Sequence, residues 1–249
     1  MFSFSFFTFN ISAQTINLTA EEGLELNQTK KTISAIKNAK IERGDMTLIA
    51  DKIIAYYKDG KDNKPQIYKV EALGDVQINS SKEKIETKKA LYNLETGQMV
   101  LTGSPTTRLY YDGVILSSNN PINYNHITGI AETTDASIKQ DKRILTAPKM
   151  TAHFEETNGK FGLALAKATG GVKLETETES LTGDNAVYDA KTGFATITNS
   201  VSLKRGNEAT LDGGLLEYNM KTGITRLHPK KGETKIHGTF NIDSKNKEE

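Results

Sequence analysis

The chain has 249 residues, a length that allows one large domain or two small ones. It carries 32 Lys and Arg against 31 Asp and Glu, and this near balance argues against nucleic-acid binding through a general basic field. It contains no Cys, which excludes thiolate catalysis, Cys-ligated zinc and a disulfide framework.

The N-terminus is rich in Phe: the first ten residues, MFSFSFFTFN, hold five of the nine Phe and are followed by ISAQ. An apolar run that ends in a small residue such as Ala13 is typical of the end of a secretory signal peptide. The basic start of such a signal is missing, and the run is shorter than the about 20 apolar residues that cross a bilayer. We expect residues 1–13 to be a truncated signal-peptide remnant, which implies export. The alternative is an unstructured or edge N-terminus.

A hexapeptide recurs in the form aromatic residue, Asn or Asp, any two residues, Thr, Gly. It reads YNLETG from Tyr92, YNHITG from Tyr124, YDAKTG from Tyr188 and YNMKTG from Tyr218, with a looser FEETNG from Phe154. An Asn or Asp side chain starts a turn by accepting hydrogen bonds from backbone groups just after it, and Gly accepts positive φ. The pattern predicts a corner in which the aromatic residue ends one strand and the Gly leads into the next.

The repeat extends beyond the hexapeptide. The stretch AKIERGDMTLIADKIIAYY from Ala39 aligns with ASIKQDKRILTAPKMTAHF from Ala136 at an offset of 97 residues. A second pair, ALYNLETG and AVYDAKTG, aligns at an offset of 96. We interpret the chain as two duplicated units, at about 39–129 and 136–223, and such a period is typical of stacked, quasi-one-dimensional architectures.

Between the corners the sequence alternates apolar and polar residues, as in DVQINS, GVKLET and ATITNSVSLKRG. This alternation is typical of half-buried strands, and helical periodicity is weak except for a short turn near 20–24. The pattern predicts an all-β chain of about 14–18 short strands. We expect one domain over residues 14–238 and a flexible tail at 239–249.

Motifs for catalysis and metal binding are missing from the sequence. HExxH, GxSxG, the P-loop and GxGxxG do not occur, and the scattered His residues favour surface or edge positions over a metal site. We therefore expect no catalytic residue, no metal and no cofactor. A basic stretch near Arg226 and Lys230 is compatible with a solvated corner or with contact to an anionic head group. The four His residues are His126, His153, His228 and His237.

Several ordered phrases resemble a known family. The stretch IERGDMTLIADKIIAYYKDG is followed by IYKVEALGDVQI, ALYNLETGQMVLTG and AVYDAKTGFATITNSVSLKRGN. In this order they resemble the OstA-like proteins of lipopolysaccharide transport, and among these the LptA-type periplasmic bridge proteins of alphaproteobacteria. The resemblance covers roughly residues 22–238. Two departures, LTGSPTTRLYYDG and an AHF in place of AYY, indicate local loop variation.

The resemblance implies a fold and a function. The fold is an antiparallel, V-shaped β-jellyroll, or β-taco, whose two facing sheets do not close fully. The function is non-enzymatic: a periplasmic protein binds lipopolysaccharide, shields its acyl chains in an apolar trough, and stacks head to tail between the two membranes. The implied partners are lipopolysaccharide, further copies of the same chain, an LptC-like component of an inner-membrane complex and an LptD-like outer-membrane translocon. The two protein components are expected to bind through edge strands. No nucleic acid is implied.

Strand alternation provides candidates for the lining of the trough, because each sheet of such a fold has one apolar face. A register error of one residue would turn a whole strand inside out. The trough-facing candidates are Ile41, Leu48, Val70, Val76, Ile78, Leu101, Leu109, Ile138, Leu145, Val172, Leu174, Ile197 and Leu203.

Three alternative functions remain open from the sequence. A membrane-anchored, LptC-like sister component shares the fold but needs a full N-terminal membrane helix. A β-solenoid adhesin or structural protein would bury its interior completely and bind no lipid. A solenoid carbohydrate-active enzyme would need a cluster of acidic residues on one face, and no such cluster is evident in the sequence.

Overall fold

The computed structural model describes residues 16–60, 65–103, 105–157, 160–207 and 209–241. Within these residues the chain forms 18 β-strands, every strand pairing is antiparallel, and no helix occurs. The all-β, antiparallel fold expected from the alternating sequence is confirmed.

The strands follow one another with short connections. In chain order they are β1 (Asn17–Thr19), β2 (Gly23–Asn27), β3 (Thr32–Arg43), β4 (Met46–Asp59), β5 (Pro65–Asn79), β6 (Lys84–Asn93), β7 (Gln98–Thr102), β8 (Thr107–Tyr111), β9 (Val114–Ser118), β10 (Ile122–Asn125), β11 (Ile130–Gln140), β12 (Arg143–Thr157), β13 (Lys160–Glu175), β14 (Glu179–Asp189), β15 (Phe194–Arg205), β16 (Ala209–Asn219), β17 (Thr225–His228) and β18 (His237–Phe240).

Most of the long strands bend in the middle and so belong to two sheets. Register shifts interrupt the ladders at corresponding places, for example between Ile36 and Ala39 in β3 and between Leu73 and Val76 in β5. On one side of these shifts the order is β2-β3-β4-β5-β6-β7-β10-β11-β12-β13-β14-β15-β16-β17, here called sheet I. On the other side it is β1-β3-β4-β5-β6-β8-β9-β11-β12-β13-β14-β15-β16-β18, here called sheet II.

The bends are made by residues that tolerate a left-handed backbone. Asn38, Asp75, Asp135 and Asn199 have positive φ at the bends of β3, β5, β11 and β15, and Gly170 has φ +93° in β13. Asn, Asp and Gly adopt this conformation at the lowest cost among the natural residues. In these five strands, local sequence therefore marks where the strand passes from sheet I to sheet II.

The inward residues of sheet II increase in size away from the bend. The positions next to the bend are small, such as Ala39 and Gly183, and the next inward positions are large, such as Ile41 and Leu181. Small side chains allow two sheets to converge, whereas large ones fill a wider gap. This taper is what a V-shaped section requires: the sheets meet at the bend and separate towards a mouth.

Four details differ from the expectation or fall outside the described chain. Ten strands are 10–16 residues long, because they continue through bends where the sequence suggests separate short strands. The predicted helical turn near 20–24 is wrong: a bend leads directly into β2. Residues 1–13, the expected signal remnant, lie outside the described residues, and β18 extends to Phe240, inside the stretch predicted as a tail.

The hexapeptide forms the predicted corner at its four regular copies. At the first copy, the Asn93 side-chain oxygen accepts hydrogen bonds from the backbone N–H of Glu95 at 3.0 Å and of Thr96 at 3.2 Å. The N–H of Gly97, at φ +71°, donates to the Asn93 carbonyl at 3.0 Å. The same three contacts recur in the copies that start at Tyr124, Tyr188 and Tyr218.

Candidate functional site

The expected trough residues all face the interior between the two sheets. Twelve of the thirteen belong to the buried core, and Leu145 is partly exposed and packs against it. The alternation predicted for β5 is confirmed: Val76 and Ile78 are buried on either side of exposed Gln77. Whether any of these residues touches a lipid stays a prediction.

Two apolar pockets open between the sheets, one in each duplicated unit. The pocket of the first unit is here called the N-terminal pocket, and that of the second unit the C-terminal pocket; both are narrow. Seven positions of one pocket align with seven of the other at the offsets of the sequence repeat. These pairs are Ile41 and Ile138, Arg43 and Gln140, Met46 and Arg143, Leu48 and Leu145, Ile67 and Leu163, Val70 and Ala166, and Tyr92 and Tyr188.

Each pocket has an arginine at its mouth. Arg43 lies at the end of β3 and Arg143 at the start of β12, so both stand at the hairpin tips of sheet II. The Arg143 guanidinium reaches across the mouth and donates a hydrogen bond of 3.2 Å to the backbone carbonyl of Met220, on the sheet I side. Burial raises the pKa of Tyr92 while the nearby Arg43 acts in the opposite direction, and Arg143 acts in the same way on Tyr188.

Between the two pockets the interior is filled by a buried carboxylate and its donors, here called the Glu83 cluster. Glu83 is 4% exposed and lies in the turn from β5 to β6. Its Oε2 accepts hydrogen bonds of 2.5 Å from the hydroxyls of Tyr111 and Tyr124, and its Oε1 lies 2.9 Å from Nδ1 of His126. The Tyr111 ring stacks on Phe154 with centroids 3.9 Å apart.

The electrostatics of the Glu83 cluster favour a charged pair. Burial opposes ionisation of the Glu83 carboxyl, but the hydrogen bonds from His126, Tyr111 and Tyr124 outweigh burial and hold its pKa below the usual range. The hydrogen bond to Glu83 raises the pKa of His126, and burial beside the carboxylate raises the pKa of both tyrosines. Glu83 lies in a hairpin turn of sheet II, Tyr124 lies in sheet I, and His126 follows Tyr124 by two residues. The cluster therefore ties the two sheets together at the mouth.

Comparison with known proteins identifies the family. Residues 17–129 and residues 115–224 each match the model of the family described as "LptA/(LptD N-terminal domain) LPS transport protein". The chain belongs to this family. The two matches together span most of the chain, and each covers about one of the two units seen in the sequence repeat.

One solved structure of this lipopolysaccharide-transport family is similar in fold. It is LptH of Pseudomonas aeruginosa, titled the LptA-homologous periplasmic component of the conserved lipopolysaccharide transport device. The similarity has a TM-score of 0.44 at 13% identity, and it covers 52% of this chain and 95% of LptH. No curated protein matches this chain significantly.

The edges of this family member carry exposed apolar residues. Within the described residues, β1 and β2 pair on one side only, with β3, and β17 and β18 pair on one side only, with β16. Leu24 and Leu26 of β2 are 56% and 59% exposed, and Phe240 of β18 is 64% exposed. Unpaired strand edges are templates for pairing with another chain.

Sequence reasoning missed the Glu83 cluster. His126 directly follows β10 and its side chain is 29% exposed, but the sequence did not indicate its contact with buried Glu83. The described residues contain no group of three or more His, Asp or Glu that could hold a metal ion, and they form no helix long and apolar enough to cross a membrane. The basic stretch near Arg226 and Lys230 is exposed.

Proposed function

We propose that this protein is a periplasmic bridge that carries lipopolysaccharide from the inner to the outer membrane without catalysing a reaction. The observation that carries the proposal is the apolar interior between sheets I and II, which opens at its mouth in both units. Membership of the lipopolysaccharide-transport family supports the choice of cargo.

Acyl chains fit the interior by physical chemistry alone. They are held without directional contacts, at about 25 cal/mol for each Å² of apolar surface removed from water. The outward faces of the strands are polar, as at Gln77 and Lys173, and leave the saccharide in water. The trough-facing residues predicted from the sequence are the ones that would contact the chains.

The edge strands support head-to-tail stacking. Within the described residues each sheet contains 14 strand segments in antiparallel order, so its first and last segments run in opposite directions. A copy translated along the stack would therefore pair β17 with β2, and β18 with β1, and keep the alternation. Such a contact is heterologous and builds a filament instead of a closed dimer. LptC-like and LptD-like partners would use the same two edges.

The transport function is tested by depletion in the cell that makes the protein. We expect lipopolysaccharide to accumulate in the inner-membrane fraction, and an added copy of the gene to restore export. Unchanged delivery of lipopolysaccharide to the cell surface after depletion would contradict the proposal.

Stacking is tested by intermolecular disulfide formation, because the native chain has no Cys. We expect purified protein carrying both Leu24→Cys and Arg226→Cys to form ladders of linked copies on mild oxidation. Protein carrying Gln77→Cys and Lys173→Cys, two exposed sites away from the edges, is the matched control. Equal ladders from both proteins, or ladders from neither, would contradict stacking through these edges.

A further inference from the structure

The outer surface of sheet II carries a wide polar groove, here called the spine groove, beside the bends of β11, β12 and β13. Its volume of about 520 Å³ falls within the about 300–1,000 Å³ that is usual for small-molecule sites. Exposed Asn119, Asp135 and Pro148 stand at its rim, and buried Ala136 and Ala147 form its floor. The groove is therefore open to solvent and separate from the apolar interior.

Three hydroxyl side chains form one cross-strand row in the spine groove. Ser117 of β9 pairs with Ser137 of β11, and Ser137 pairs with Thr146 of β12. Each is flanked along its strand by a residue that faces the interior, so all three point outward. The Ser117 and Ser137 hydroxyls make no hydrogen bond to another described residue. Asn119 accepts a hydrogen bond of 2.8 Å from the Thr106 hydroxyl, which leaves its amide group as a donor for a ligand.

The charge of the spine groove limits which ligands fit it. Among the described residues that line it none is Lys, Arg or His, and the one acid is Asp135, whose carboxylate accepts a hydrogen bond of 2.8 Å from Asn120. An anionic ligand would meet a carboxylate and no cation. An apolar ligand would remove water from the hydroxyls without replacing their hydrogen bonds. An uncharged ligand rich in hydroxyl groups avoids both costs.

The first unit has bulkier or charged residues where the second unit has the spine groove. Four lining residues differ between the units at the offsets of the sequence repeat. The aligned pairs are Lys40 and Ser137, Ile49 and Thr146, Asp51 and Pro148, and Asp75 and Gly171. In the first unit, Lys40 forms an ion pair with Glu42, and Asp75 forms one with Lys88. The second unit has no charge at these four places, and its Ser, Thr and Gly are smaller than their counterparts. Side-chain replacement at repeat positions therefore opens the groove in one unit.

We propose that the spine groove binds an uncharged saccharide. The hydroxyl row and the Asn119 amide exchange hydrogen bonds with the sugar hydroxyls, while Pro148 and the two floor alanines pack against the C–H faces of the rings. The groove lies in the middle of the sheet, away from the edge strands, so it stays accessible when copies stack. This inference goes beyond the proposed function and holds whether or not the interior binds lipopolysaccharide.

The test uses isotope-labelled protein and two uncharged probes, chitotetraose and maltotetraose. The first probe carries acetamido groups and the second carries hydroxyl groups alone, so the pair also shows which kind of sugar the site prefers. With at least one probe at millimolar concentration, we expect saturable shifts of the backbone amide signals of Ser117, Ser137 and Thr146. An anionic probe, tetragalacturonate, should bind about tenfold more weakly or less. Tighter binding of the anionic probe, or no saturable shift with either uncharged probe, would overturn the proposal.

Groove-filling variants copied from the first unit locate the binding. Ser137→Lys and Thr146→Ile introduce the residues that the first unit carries at the same places, so both should fold, which urea unfolding checks. Ser202→Lys is the matched control, because Ser202 lies in the same outward row of sheet II but outside the groove. We expect each groove variant to weaken binding of the better probe about tenfold, and the control to stay within about twofold.

Two results from these variants would overturn the assignment to the spine groove. One is binding that persists in both folded groove variants, and the other is an equal loss in the control. If a groove variant does not fold, the shifted amide signals of the native protein decide: saturable shifts confined to residues outside the groove would contradict the site.

Discussion

The two duplicated units build the same turn around an acidic residue and then neutralise that residue differently. In each turn a hydroxyl, of Ser80 or Thr176, accepts a hydrogen bond from the N–H of the acidic residue three positions on. In the first unit this residue is Glu83, enclosed by two tyrosines and a histidine. In the second it is Glu179, paired at 2.5 Å with Arg205, whose side chain is 58% exposed.

The position of each acidic residue in the order of strands explains the difference. Glu83 lies at the junction of the units, where strands of the second unit cover it and exclude water, so several donors must satisfy it. Glu179 is buried as well, and among the described residues its carboxylate accepts hydrogen bonds from Arg205. The two turns thus share a backbone conformation, whereas the neighbours of each acidic residue determine its partners.

The corners provide the test with the largest expected effect. Gly129 and Gly223 both have φ +71°, but a Cβ at Gly129 would lie 2.0 Å from the Phe154 carbonyl oxygen, whereas nothing lies within 4 Å at Gly223. We expect Gly129→Ala to lower the free energy of unfolding by about 4 kcal/mol, from backbone strain plus overpacking, and Gly223→Ala by about 1 kcal/mol, from strain alone. Urea unfolding measures the loss for each variant. Equal losses would contradict the expected difference between the crowded corner at Gly129 and the open corner at Gly223.

The second largest effect is expected at the two acidic residues. Glu83→Gln leaves buried donors without their charged acceptor, and we expect a loss of about 3 kcal/mol in the free energy of unfolding. Glu179→Gln removes a partly exposed pair, and we expect a loss below about 1 kcal/mol. The same urea experiment compares them. A larger loss at Glu179 would show that the clustered donors do not stabilise the junction.

The pH dependence of stability follows from the same cluster. The raised pKa of His126 contributes stability that is present below its unfolded value of about 6.5 and is lost as pH rises through its folded pKa. The lowered pKa of Glu83 contributes stability that is present above about 4.3 and is lost as pH falls through its folded pKa. We therefore expect the urea midpoint to be highest between these values and to decline as pH rises above about 6.5.

A substitution at His126 tests whether this residue causes the decline of the urea midpoint at high pH. His126→Gln keeps a neutral N–H donor for Glu83 but does not titrate. We expect its urea midpoint to lose the decline at higher pH and to keep the decline at low pH. If the urea midpoint of the variant still declines at high pH, another titrating group causes that decline.

The smallest effect on stability is expected at the first edge. Leu24 and Leu26 are more than half exposed, so replacing both with Lys should change the free energy of unfolding by about 0.5 kcal/mol or less. The charges should nevertheless block edge pairing and shift the protein from concentration-dependent assemblies to monomer. Multi-angle light scattering checks this, with Gln77→Lys as the control. Assemblies that persist in the double variant would exclude β2 from the contact.

Much of the fold is local and was predictable for that reason. The corner at Tyr92 to Gly97 is specified by an Asn and a Gly within six residues, and the inward faces follow from alternation, as at Val172 and Leu174. The bends inside strands also have a local cause, in residues such as Asn38, but alternation gives no indication that a strand continues through them.

The Glu83 cluster could not be predicted because its contacts are distant in sequence. Glu83 meets Tyr111, Tyr124 and His126 from 28, 41 and 43 residues away. The only sequence indication is that Glu83 aligns with Glu179 at the repeat offset, which marks a shared turn and says nothing of the partners. The arginines at the pocket mouths could not be predicted from the sequence repeat either, because Arg43 and Arg143 do not align with each other.

Contact between acyl chains and the interior is the central claim, and photo-crosslinking in cells tests it most directly. Leu174 lines the C-terminal pocket, and its neighbour Lys173 points outward from the same strand. With a photo-reactive residue at each position in turn, we predict a lipopolysaccharide adduct at Leu174 and none at Lys173. Equal adducts at both positions, or adducts at neither, would contradict the account.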